Sequence, residues 1–81
     1  MESLIRFRIK KDLDNSQHKS ILALKGSIIS KGYTDIIHIS DDGEEFHINS
    51  FSLLTSKKAA VTEYIMAYIE AKKLEQVVTI L

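Results

Sequence analysis

The stretch Thr34–Asn49, TDIIHISDDGEEFHIN, is the part of the chain whose reading decides the fold. Two runs that alternate apolar and polar residues flank Asp42-Gly43, a pair suited to the positive-φ positions of a type I′ turn. A two-residue loop there pairs Ile39 with Phe46 and Ile37 with Ile48, and sets His38 opposite His47. Four apolar side chains then share one face. A slip of one residue would set Ile39 against Glu45 and mix the two faces. The expectation is a hairpin with Ile37, Ile39, Phe46 and Ile48 turned towards a core.

Upstream, Leu4–Lys10 alternates Ile5, Phe7 and Ile9 with Arg6, Arg8 and Lys10, the pattern of a half-buried strand. Lys11–Ser16 is polar and offers Asp14, Asn15 or Ser16 as a helix cap. From Gln17 the positions Ile21, Leu24 and Ile28, joined by Leu22 and Ile29, follow helical spacing. Gly32 then sits where a left-handed residue ends a helix, just after Lys31.

Downstream, Ser50–Ser56 is expected to be a loop that folds Phe51, Leu53 and Leu54 over an edge of the core. Thr55 or Ser56 should cap a second helix running to about Lys73, with Val61, Ile65, Tyr68 and Ile69 buried and Ala60 and Ala67 allowing close approach. Gln76–Leu81 is β-rich and supplies a fourth strand. The order βαββαβ, with right-handed crossovers, predicts a ferredoxin-like α+β sandwich. Its antiparallel sheet would have the order 4-1-3-2, with both helices on one face and a single domain over residues 1–81.

Composition narrows the function classes. With 81 residues and no cysteine, the core is small and no disulfide supplements it, so a homodimer is expected. Eleven basic and eleven acidic residues balance, which leaves only a local basic patch for contact with nucleic acid. No apolar run reaches the length of a membrane span, and MESLIRFRIKKD does not read as a signal peptide, so no membrane partner and a cytoplasmic location are expected.

The sheet face opposite the core should carry Arg6, Arg8 and Lys10; Ile36, His38 and Ser40; Glu45, His47 and Asn49; and one alternate set from Val77–Leu81. On that reading, Phe7 and Phe46, the aromatics of the central strands, point inward, which excludes base stacking of the RNA-recognition-motif kind. Phosphate contacts by Arg6, Arg8, Lys10 and Lys11, joined by Lys25, stay open. Cross-strand pairing on a solvated face is the ordinary use of such residues, and stacking of two copies is another. Zinc held by His38, His47 and Glu45 would lack a full tetrahedral set, so no metal and no cofactor are expected. Asp12 and Asp14 suit a turn and a cap better than a divalent ion. Gly26, Gly32 and Gly43 lie too far apart for a phosphate loop, and no catalytic residue is assigned.

Asn49-Ser50-Phe51 followed by Thr55-Ser56, together with ILALKGSIISKGY at Ile21–Tyr33, resembles the GhoS-like antitoxin family, small proteins of ferredoxin-like, Cas2-like fold. The resemblance implies an antitoxin that binds RNA, with endoribonuclease action on a messenger RNA. In the matching helix this chain has Lys25, and Ala23 where a second basic residue is expected. Lysine lacks the bidentate fork of arginine, so cleavage is left open. An acidic residue just after the first strand serves related nucleases, and Asp12 is the nearest match. The functional expectation is RNA binding by Arg6, Arg8, Lys10 and Lys25. The alternative is a non-catalytic protein-interaction or inhibitor module that homodimerises through its sheet.

Overall fold

In the computed structural model, which describes residues 1–81, alternation in the first strand buries the residues that its pattern selects. Ile5, Phe7 and Ile9 of β1 (Glu2–Lys10) lie in the core, while Arg6 and Lys10 stay exposed. The remaining elements are α1 (Asn15–Ser30), β2 (His38–Asp42), β3 (Phe46–Leu54), α2 (Thr55–Ala71) and β4 (Val78–Ile80). All pairings are antiparallel, in the order β2-β3-β1-β4. That is the expected 4-1-3-2 order of a ferredoxin-like α+β sandwich. One hydrophobic cluster joins the inner face of the sheet to Ile21, Leu24 and Ile28 of α1 and to Val61, Ile65 and Ile69 of α2.

The helix ends are set by local chemistry. Asp14 caps α1: its carboxylate accepts the Gln17 amide at 2.7 Å, and its own N–H donates to Gln17 Oε1 at 3.1 Å. Gly32, at φ +77°, closes α1 as the spacing predicts, with the Tyr33 amide donating to the Ile28 carbonyl. The end of α2 has the same form without a glycine. Lys73 takes φ +57°, and the Leu74 amide returns to the Ile69 carbonyl at 2.8 Å. Burial of Leu74, at 1% exposure, offsets the cost of a left-handed lysine.

At the other end of α2 the expected cap is absent. Thr55 is the first helical residue, and Leu54 stands at the cap position without a side-chain bond. The Thr55 hydroxyl instead lies 2.7 Å from the Ser3 hydroxyl. Ala60 and Ala67 are exposed rather than packed between elements, and so are Leu22 and Ile29. The helices are tied by hydroxyls: Tyr68 donates to the Ser20 carbonyl at 2.8 Å, and Tyr64 meets Ser27 at the same distance.

The main correction concerns the hairpin. Asp42 pairs with Phe46, and Gly43, Glu44 and Glu45 form a three-residue loop in place of the two-residue turn. Gly43 supplies the positive φ, +72°, and the loop is fixed to the end of β1 by Lys11, whose amide donates to the Glu45 carbonyl at 2.8 Å. Strand β3 also runs on to Leu54 through the segment expected to be a loop. Phe51 and Leu53 are therefore strand residues, opposite Ile5 and Ser3 and buried in the core. A strand has a period of two, so burying positions 51 and 53 turns 49 and 47 inward and sends 46 and 48 outward. Strand β2 keeps its predicted faces by register, but Ile39, expected in the core, is 57% exposed and lies outside it, and β3 has the reverse of the faces predicted.

Candidate nucleic-acid interface

Register now fixes the open face of the sheet. From β1 it takes Leu4, Arg6, Arg8 and Lys10, directly opposite Ser52, Ser50, Ile48 and Phe46 of β3. His38, Ser40 and Asp42 follow from β2, and Thr79 from β4. Arg6, Arg8 and Lys10 thus stand together on a central strand, as expected. Phe46 joins them, although the predicted register placed it in the core. Neither Phe46 nor Ile48 packs against the hydrophobic cluster.

Around Phe46 the face is charged. The Arg8 guanidinium carbon lies 5.0 Å from the centre of the Phe46 ring, a cation–π contact. The same guanidinium is 3.6 Å from Asp42 on the neighbouring strand. With more than a third of each side chain exposed, that ion pair contributes at most about 1 kcal/mol. It orients Arg8 over the ring and leaves the group free to exchange partners. The opposite end of the face is apolar: Leu4 is 48% and Leu54 52% exposed.

The reversed strand also moves the histidines. His38 stands opposite Ser50 on the open face, and His47 opposite Asp41 on the helix side, so the two do not face one another. His47 Nδ1 lies 3.3 Å from Asp41 Oδ1 without the alignment of a hydrogen bond, and Lys11 Nζ is 3.2 Å from the same oxygen. The Lys11 hydrogen bond and charge, reinforced by His47, hold the Asp41 carboxyl below its ordinary value of 3.8. No group of three His, Asp or Glu side chains is placed to hold a metal ion. Asp12 is exposed and Asp14 is spent on its cap.

Beneath the hairpin, on the helix side, a pocket of about 290 Å³ opens between α1, the end of β1 and the β2–β3 edge. Lys25 lines it, separated by the sheet from Arg6 and Arg8, so the four residues expected to contact RNA divide between two surfaces. Lys10 borders the pocket from the end of β1. Asn49 forms part of its wall at 1% exposure, and Asn49 Oδ1 has no hydrogen-bond partner. An unpaired buried amide of this kind costs about 1–3 kcal/mol. A larger groove, about 1,340 Å³, runs along α2 and β4; it is broad, open to solvent and holds no unpartnered buried polar atom.

Sequence reasoning misplaced Phe46 and Asn49 for one cause. The signal that would have found them is the pair Phe51-x-Leu53, which shares its parity with Asn49 and outweighs Phe46-x-Ile48 as a core-facing set. No helix is long and apolar enough to cross a membrane. No protein-family model, curated protein or solved structure matches the chain.

Proposed function

We propose that the chain is a small cytoplasmic antitoxin-like protein that binds single-stranded RNA on the open face of its sheet. One observation carries the reading: Phe46 faces outward on a central strand, opposite Lys10 and beneath the Arg8 guanidinium. Sheets that bind single strands stack bases on exposed aromatic rings or guanidinium planes and hold the backbone with cations. Phe46 and Arg8 supply two planar groups in one place, and Arg6 and Lys10 flank them for phosphate. Cleavage would need a base at a ribose 2′ hydroxyl and an acid at the leaving oxygen. The open face offers His38 as its only histidine, so the proposal is binding.

A titration of short labelled RNA, followed by fluorescence anisotropy at several salt concentrations, tests it. Affinity should fall as salt rises, with a slope of about 0.7 per phosphate contact, and Arg6→Ala should lower that slope. Phe46→Ala should weaken binding by about 1–3 kcal/mol for one stacked base. An affinity independent of salt and of Phe46 would reject the reading.

Leu4 and Leu54, exposed at the far end of the same face, favour a second reading, in which two copies stack their sheets as a non-catalytic interaction module. Sedimentation would then show a dimer that Leu54→Lys dissociates. A monomer at high concentration would reject it.

A further inference from the structure

The pocket beneath the hairpin has a use that the open face does not cover. We propose that it receives one nucleobase with its phosphate, which deepens the RNA-binding reading and rests on it. Asn49 shares its strand face with Phe51 and Leu53, where an apolar side chain would bury without loss, yet it sets in the wall of the pocket an amide whose buried oxygen has no partner. Buried amides in native proteins are paired, so the vacant valence calls for a ligand that carries its own donors and acceptors.

The surroundings specify the rest of that ligand. Ile9, Ile21 and Ile39 form apolar walls, suited to the faces of a flat ring. His18 and Lys25, separated by two turns of α1, stand on the stripe that borders the pocket and supply donors for an anion. A volume of about 290 Å³ is at the small end of ligand pockets, which run from ~300 to 1,000 Å³, and suits a single nucleotide rather than a larger cofactor. An asparagine amide reads the edge of adenine through paired hydrogen bonds, which makes adenosine monophosphate the first probe. Lys10 borders both the pocket and the open face, so a strand lying on the sheet can turn its end nucleotide inward past that residue.

The test is a nuclear magnetic resonance titration of the full chain, with adenosine monophosphate, uridine monophosphate and inorganic phosphate added separately. Adenosine monophosphate should shift the Asn49 side-chain amide and the His18 and His47 rings saturably, and more tightly than phosphate alone. Asn49→Leu should weaken that binding at least about tenfold, the equivalent of one good hydrogen-bonded contact. Lys25→Ala, on the surface of α1, gives the same test should Asn49→Leu fail to fold, with a several-fold weakening expected. No shift at Asn49, or equal affinity for inorganic phosphate, overturns the nucleotide pocket. A parallel titration of the wild-type chain with an RNA oligonucleotide separates the two failures. Shifts at Phe46 and Arg8 without shifts at Asn49 reject the pocket and leave the sheet face standing. No shift at Phe46 or Arg8 rejects the sheet face itself.

Discussion

Two surfaces built from alternate residues of β3 make opposite demands on a ligand. Outward, Phe46, Ile48 and Ser50 form an open face whose cations come from β1 and whose side chains are partly exposed. Inward, His47 and Asn49 line a pocket, and His47 Nδ1 and Asn49 Oδ1 are buried there without a hydrogen-bond partner. An open charged face gains affinity from many weak, salt-screened contacts and discriminates little among sequences. A pocket whose buried polar atoms lack partners discriminates against ligands that cannot pair with them. In the proposed binding mode the same strand separates holding from choosing, and the register of the hairpin decides which residue does which.

The largest expected effect breaks that division at its source. Phe51→Ala should destabilise the fold by about 3–5 kcal/mol in urea denaturation, because a fully buried ring leaves a cavity. Phe46→Ala, on the same strand, should cost less, about 1–2 kcal/mol, for a partly buried ring and its cation–π contact. Equal losses would mean that both rings lie in the core and that the outward face is misassigned.

Asn49→Leu sharpens the inward side. Removing an unpaired buried amide oxygen should raise stability by about 1 kcal/mol, read as an increased denaturation midpoint at unchanged slope. A loss of that size would mean that the amide is already satisfied and that no ligand is needed to complete it. Arg8→Ala should lower stability by less than about 1 kcal/mol, since its partner Asp42 is solvated, and the proposed RNA binding should lose more.

The smallest effect is acid-dependent. Asp41 is held below 3.8 by Lys11 first and His47 second, so its carboxylate form is favoured in the folded state. Its contribution is therefore present above about pH 3.8 and is lost as pH falls through the lower folded value. Thermal melts from about pH 5 down to about pH 2 should show a steeper fall in the wild-type chain than in Asp41→Asn. Parallel curves would remove this carboxylate from the account of the hairpin.

Much of the architecture was legible because it rests on local periodicity. The alternation in β1, the stripe of Ile21, Leu24 and Ile28, the Asp14 cap and Gly32 each follow from a few adjacent residues. Strand order also followed, from element order alone. The hairpin failed because Asp42-Gly43 satisfies a two-residue turn and the observed three-residue loop equally well. The choice between them is made by a distant contact, Phe51 and Leu53 against β1. The Schellman-type end of α2 was hidden for the same reason, since Lys73 tolerates a left-handed backbone only where Leu74 is buried. Among candidate site residues, Arg6, Arg8 and Lys10 were legible as one face. Phe46, Asn49 and the pocket beside Lys25 were not, because each depends on that one register.

The most direct test of the account is an amide-resolved titration of the wild-type chain with a single-stranded RNA oligonucleotide at low salt. Shifts should concentrate on Arg6, Arg8, Phe46 and Ile48, across the two central strands, and should fade as salt is raised. Shifts confined to the outer surface of α2, or none at all, would contradict it.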